Sequence, residues 1–229
     1  MSASAYRIMA AGNYGGDDLE RQCWPLFLQP DWPSYETFWQ RRVVRVTTRP
    51  TGMGFKSDAE LAKIGCGPED ICLAQLHYTV LGHLSVAYNY RKINQLEAPD
   101  FAHAIIRLSS ALDVVDEILG RLDQPGKYEP WDEDQEEDAR GNWRKAHGRL
   151  RDIRDYRGRL VHGRMWMGVR DGVTGLLHLP RIGCEMRYID WRLLGVRSIA
   201  RDYAPGHEIL EDAWRRVLKH IEASWQAVV

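Results

Sequence analysis

From residue 67 onward, hydrophobic positions recur every three or four residues, the period of a helix with one buried face. Leu73, Leu76, Val80, Leu84 and Ala87 form a first stripe running through Tyr90. Gly67-Pro68-Glu69-Asp70 precedes it, with proline and acids where a helix start favours them. The second stripe is the clearest: Phe101, Ile105, Leu108, Leu112, Val115, Leu119 and Leu122 alternate spacings of four and three, with Asp100 as the expected cap and Gln124-Pro125-Gly126 as the stop. Such a seam belongs to a helical bundle. A third stripe, Trp143, Ala146, Leu150, Ile153, Leu160 and Val161, predicts an amphipathic helix ending at Gly163, where a left-handed cap is favoured. A last helix after Pro205-Gly206 carries Leu210, Trp214, Val217, Ile221 and Trp225.

Between the last two stripes the period changes. Met165, Met167 and Val169 alternate with Trp166 and Gly168, Asp171-Gly172 supplies a turn, and Leu177 and Leu179 alternate before Pro180, which predicts a β-hairpin near 164–183. Cys184 to Ile189 fits a short strand, and Asp190 fits the cap of a helix through Ala200. The expected fold is therefore mainly α, a helical bundle over residues 67–229 with a small β-hairpin insertion. Residues 1–66 read differently. Gly15-Gly16, Pro25, Pro30 and Pro33 break regular structure, Trp24, Phe27 and Trp32 are available as anchors, and Ser34 and Ser57 fit the caps of short helices. This is the pattern of an N-terminal arm packed on the body.

Composition narrows the function classes. At 229 residues and a formal net charge of −1, the chain can bury a core but is not, as a whole, an electrostatic nucleic-acid binder. Any such role falls to a local patch. Cys23, Cys66, Cys72 and Cys184 form no CxxC or zinc-finger spacing, nothing resembles a secretory signal, and no apolar run is long enough for a membrane span. Reduced thiols, a cytoplasmic location and no membrane partner are expected. No Gly-rich phosphate loop follows a strand, and no clustered His and carboxylate pattern suggests a metal.

Charge is distributed unevenly along the third stripe. Residues 132–138 hold six acids in seven positions, whereas Arg140 to Arg164 contains nine Arg or Lys against Asp152 and Asp155. Acids near a helix start and bases near its end complement the macrodipole; a charged face is also simply solvated, and a basic end also tracks a phosphate backbone. Within the basic end, Arg157 falls in core register, four after Ile153 and three before Leu160, and a charge there needs a partner or a purpose. His162 follows five residues later, at the expected helix terminus. With 25 Arg and 8 His in the chain, roughly one Arg-x4-His arises by chance on composition arithmetic. The copy at Arg215 and His220 lies inside a continuing helix and is taken as that coincidence.

An arginine with a histidine suits cleavage of RNA, which carries its own 2′-hydroxyl nucleophile. Histidine exchanges protons near neutrality. Arginine stays charged and offers a fork to phosphate oxygens, which stabilises a phosphorane. Five helical residues span about 140° of azimuth, so Arg157 and His162 converge only if the helix ends near Val161 or if two copies form a composite site across a twofold axis.

The segment Tyr156-Arg-Gly-Arg-Leu-Val-His-Gly163, at the end of a bundle helix, resembles the motif of HEPN domains, the nucleotide-binding fold shared by higher eukaryotes and prokaryotes. That resemblance implies a bundle dimerising through its motif helices and, in many members, metal-independent endoribonuclease activity in toxin–antitoxin, antiphage or RNA-processing systems. It implies Arg157 and His162 as the catalytic pair, with no cofactor. The family's second motif position, commonly Asn, Asp or His, is Gly158 here, one turn before His162. Arg154 or Arg159 is available to substitute.

Two functions fit these residues. The first is a homodimeric endoribonuclease in which His162 transfers protons, Arg157 holds the scissile phosphate, and Arg154, Arg159 and Arg164 steer the strand, with an antitoxin protein as a further partner. The second is a non-catalytic dimeric module that binds RNA, a nucleotide or a protein partner. In that case Arg157 is a buried structural cation paired with an acid such as Asp155 or one on a neighbouring helix, and His162 is a helix-end histidine favoured by the macrodipole.

Overall fold

Where the stripes predict helices, helices form. A computed structural model of the protein describes residues 63, 68–125, 133–147, 150–162, 168–183 and 203–228. The expectations for the arm over 1–66 (residue 63 apart), the strand at 184–189, the helix at 190–200, the Gly163 cap and Arg164 lie outside the described residues. The elements are α1 (Pro68–Arg91), α2 (Ala98–Asp123), α3 (Glu133–His147), α4 (Arg151–Val161), β1 (Val169–Arg170), β2 (Leu177–Pro180), β3 (Tyr203–Pro205) and α5 (Gly206–Val228). The described residues are mainly helical, with one small antiparallel sheet.

The stripes are the buried faces. Leu73, Val80, Leu84 and Ala87 of α1 are fully buried, as are Ile105, Leu108, Leu112 and Leu119 of α2. Leu210, Trp214, Val217, Ile221 and Trp225 bury one face of α5. Leu76 and Leu122 are half-buried. One helix start differs from expectation. Asp100 does not cap α2 from outside but stands third within it, and its carboxylate reaches back to accept the Glu97 N–H at 3.4 Å while Phe101 N–H donates to the Glu97 carbonyl at 3.0 Å. This is one half of a capping box, with Glu97 as the flanking residue.

The third stripe is not one helix. It divides between α3 and α4, and Leu150 at the break is left-handed (φ 58°, ψ 31°), the one non-glycine with positive φ among the described residues. A branched side chain in that conformation costs about 1–2 kcal/mol. A new helix starts there: the N–H groups of Ile153 and Arg154 both donate to the Leu150 carbonyl, at 3.1 and 3.4 Å. Sequence spacing runs through the break undisturbed because it records position and not backbone conformation.

The hairpin forms with β1 and β2 antiparallel, Val169 opposite His178 and Arg170 opposite Leu177. At its turn, Asp171 Oδ1 accepts the N–H groups of Thr174 and Val173, at 2.7 and 2.8 Å, and these bonds hold the carboxyl below its usual range. Gly175 supplies the left-handed residue that closes the turn. A third strand was not legible: β3 pairs antiparallel with β2, Ala204 opposite Leu179. Pro205 fits there because β3 is the edge of the sheet order β1-β2-β3, where a missing N–H is tolerated.

The chain divides into two compact units, with boundaries inside α1, α2 and α5. The first holds, of the described residues, 68–82, 113–125, 133–147 and 221–228. Leu81, Val115, Ile118, Trp143 and Trp225 are buried there, and three of its buried charges are paired: Arg121 with Glu117 at 3.4 Å, and Asp116 with Arg144 at 3.2 Å. His77, wholly buried, is pushed down to about pKa 3 by desolvation, so it is neutral at physiological pH. The second unit holds 83–112, 150–162, 168–183 and 203–220, and contains α4. Its α1 and α5 segments meet through Arg91, whose guanidinium lies 4.6 Å from the Trp214 ring centroid and bonds Glu211 at 2.6 Å.

Candidate functional site

The motif helix is short, and its direction is set by three side chains. Ile153, Tyr156 and Leu160 are the buried residues of α4. Tyr156 is the anchor: its hydroxyl donates to the Pro180 carbonyl at 2.8 Å, and its ring meets Phe101 edge-on at 5.9 Å and 75°. One contact ties α4 to the end of β2 and the other to α2. Asp152 adds a third tie, to Arg216 of α5 at 2.6 Å. Tyr156 was missing from the predicted stripe, although its spacing of three from Ile153 and four to Leu160 announces it. Val161, counted on that stripe, is instead 51% exposed, since the stripe rotates out of the core as the helix ends.

These ties present the two motif residues differently. His162 caps the C-terminus of α4 (φ −87°, ψ 14°); its N–H donates to the Gly158 carbonyl at 3.1 Å, and the residue is exposed. The sequence placed it at a helix end, and it is there. Arg157 is half-buried, and its Nε is fully buried without a hydrogen-bond partner. Among the described residues no acid pairs with it. Both acids of the basic stretch are engaged elsewhere: Asp152 with Arg216, and Asp155 with Arg151 at 3.7 Å on the exposed side. The pairing of Arg157 with Asp155 that a purely structural role would use is not formed.

Arg154 and Arg159 are half-buried on the same helix, and each has contacts of its own within the protein. Arg154, Gly158 and His162 are spaced one turn apart and share a side of α4. Arg157 and His162 do not, being about 140° apart on an ideal helix. The second Arg-x4-His copy is divided between two environments. Arg215 is exposed and leans on Glu211 at 3.8 Å, while His220 is only 7% exposed, within a helix that runs on to Val228.

Two further features bear on chemistry. An open cavity of about 530 Å³ lies along the start of α5, lined in part by Arg181, His207, Glu208 and Arg215; none of the α4 motif residues lines it. Among the described residues, no three His, Cys, Asp or Glu side chains cluster as a metal site requires, and no helix is long and apolar enough to cross a membrane. Comparison with protein-family models, with curated proteins and with solved structures gave no match to this chain.

Proposed function

We propose that the protein is a metal-independent endoribonuclease of HEPN type, a homodimer in which Arg157 and His162 of two paired α4 helices make a composite site. One observation carries this reading: the Arg157 guanidinium is drawn half into the protein, its Nε buried and unbonded, with no acid answering it among the described residues. A desolvated cation left unpaired is costly to stability. That cost is understandable if an anion from outside the chain completes the site. An RNA phosphate is such an anion, and a guanidinium fork matches two of its oxygens.

The chemistry follows from the two side chains. His162, exposed at the helix end, is open to solvent and substrate. One imidazole takes the proton of the 2′-hydroxyl as its oxygen attacks phosphorus in line; an imidazolium gives a proton to the departing 5′-oxygen. Between these events Arg157 holds the charge of the phosphorane. The P–O5′ bond breaks, leaving a 2′,3′-cyclic phosphate and a 5′-hydroxyl. The divergence of Arg157 and His162 on one helix favours a twofold arrangement in which the residues of two chains face each other. Arg154, Arg159 and Arg164 lie in the same stretch and steer the strand. A toxin–antitoxin, antiphage or RNA-processing setting, with an antitoxin as partner, accompanies this reading.

A second reading has one observation in its favour. Gly158 occupies the position where the HEPN motif usually has a polar side chain, and a dimeric module that binds RNA, a nucleotide or a protein without cutting has no need of one. Cleavage of labelled single-stranded RNA in EDTA separates the two. The unaltered protein should give 2′,3′-cyclic phosphate ends, and folded, dimeric His162→Ala and Arg157→Ala variants should lose at least about a hundredfold in rate. A protein that binds a broad RNA panel and cuts none of it is the module instead.

A further inference from the structure

The cavity along the start of α5 is lined by none of the α4 motif residues, and its described walls lie within the second unit. Its volume of about 530 Å³ falls in the range of small-molecule sites. Such sites are mostly apolar. Here Ile182 and Ile209 stand among Arg181, His207, Glu208, Glu211, Asp212 and Arg215, a lining that suits a charged ligand. Two of the acids are answered from outside the cavity: Glu211 pairs with Arg91 at 2.6 Å and Asp212 with Arg216 at 3.6 Å. Arg215 reaches only Glu211, at 3.8 Å, an acid that Arg91 already holds more closely. The side chains of Arg181, His207 and Glu208 have no hydrogen bond or ion pair among the described residues. A single uncommitted charge on an open surface is ordinary solvation. Two arginines, an imidazole and a carboxylate around one cavity, with no strong internal pair among them, are arranged as a polar ligand requires.

The α5 part of the lining runs from His207 to Arg215, about 12 Å along the helix axis. Arg215 leans toward Glu211, one turn nearer to His207. The uncommitted groups decide the sign and class of the ligand. A carboxylate is satisfied by one guanidinium fork. A phosphomonoester has three terminal oxygens and a charge of about −1.5 to −2 near neutrality, which suits two forks and an imidazole. Glu208 only accepts hydrogen bonds when ionised. It repels such a phosphate and suits hydroxyl or amino groups elsewhere on the same molecule. Phosphate alone leaves most of the cavity unfilled, and Ile182 and Ile209 give an organic body an apolar wall. We infer that the cavity binds a small organic phosphomonoester, with Arg181, Arg215 and His207 toward the phosphate and Glu208 toward donors on the body. Nucleoside monophosphates and sugar phosphates share this chemistry. The site is separate from Arg157 and does not depend on the nuclease reading.

Isothermal titration calorimetry on the full chain tests this, with AMP, ribose 5-phosphate, inorganic phosphate, adenosine and spermidine as probes. AMP or ribose 5-phosphate should bind at one site per chain, and the tighter of the two identifies the source. Inorganic phosphate and adenosine should each bind more weakly by about tenfold or more, since each lacks one half of the recognised molecule. Arg181→Ala and Arg215→Ala should each weaken binding by a similar factor. Their melting temperatures should match the parent's, because Arg181 has no internal partner and the Arg215 pair is exposed and weak. Arg157→Ala should bind like the parent. Absence of binding by both phosphomonoesters overturns the inference, as does parent-like binding by Arg181→Ala. Inorganic phosphate or adenosine bound as tightly as AMP also overturns it, and so does binding of spermidine in their place. Binding lost in Arg157→Ala but kept in Arg181→Ala moves the ligand to α4 and overturns this site while leaving the nuclease reading untouched. A parent protein that binds AMP as expected but cuts no RNA ends the nuclease reading alone.

Discussion

Arg144 and Arg157 belong to the same basic stretch, thirteen residues apart in sequence, and the fold treats them oppositely. Arg144 of α3 is 36% exposed and has two acids: Nη2 donates to Asp113 Oδ1 at 2.6 Å and Nε to Asp116 Oδ2 at 3.2 Å. Arg157 of α4 is also half-buried, yet its Nε is buried and bonded to nothing, and the nearby acids are committed to other arginines. The first unit thus supplies counter-charges to Arg144 and to the buried Arg121, which pairs with Glu117 although its Nε, like that of Arg157, is buried without a hydrogen-bond partner. On the proposed reading, the difference is between a structural cation and one kept for a ligand. Position in a hydrophobic stripe does not do so, and neither does partial burial. What separates them is whether the protein supplies the counter-charge.

On the proposed nuclease reading, the largest effect that bears on this contrast is on cleavage. Arg157→Met should cost about 10²–10³ in rate, the scale of losing one transition-state cation. Its thermodynamic stability should be unchanged or higher by up to about 1 kcal/mol, because an apolar chain replaces an unpaired, partly desolvated charge. Arg144→Met should do the reverse, leaving cleavage per folded molecule intact while costing about 1–2 kcal/mol, since Asp116, 3% exposed, loses a partner. Denaturant titration and cleavage assays on both variants settle the matter. Equal destabilisation by the two would erase the distinction.

Acid should expose the first unit next. His77 has a pKa of about 3 in the fold against 6.5 when unhindered, so between those values the unfolded chain binds the extra proton. The stability from burying the neutral ring is full above about pH 6.5 and drains as pH falls toward 3, with a ceiling on the order of 4–5 kcal/mol. Stability measured against pH should therefore fall on the acid side, and His77→Leu should flatten that limb. An unchanged slope would mean that burial does not depress the ring's pKa.

The smallest effect concerns how α4 is aimed. Tyr156→Phe removes the hydroxyl that bonds the Pro180 carbonyl and should cost about 1–2 kcal/mol, the value of a buried acceptor left unsatisfied. Cleavage should drop by several-fold as the helix loosens. A fully active variant would show that Ile153, Leu160 and the Phe101 contact hold the helix without that bond.

Much of this arrangement was visible in the order of residues. The α2 seam, the burial of one face of α5, the hairpin and the terminal position of His162 all follow from local rules: period 3.6, period 2, and the punctuation of Gly, Pro and Asp. The break at Leu150 did not follow, because spacing counts residues and continues through a left-handed residue without registering it. Asp100 was placed one role away from its true one, since a carboxylate at a helix start serves either as the cap or from within the first turn. β3 escaped for a different reason: three residues with proline among them carry no period, and only the waiting edge of β2 makes them a strand.

The candidate site divides in the same way. The sequence determined that an arginine sits in core register on a basic helix and that a histidine follows at its end, since both depend on neighbours within two turns. The tertiary structure decided which acids each cation receives. Asp152 goes to Arg216, distant in sequence, and Asp155 turns outward to Arg151, so Arg157 is left without either. Ion pairing acts over a few ångströms of space and is indifferent to separation along the chain. The chain can therefore announce a charge long before folding determines whether that charge is met.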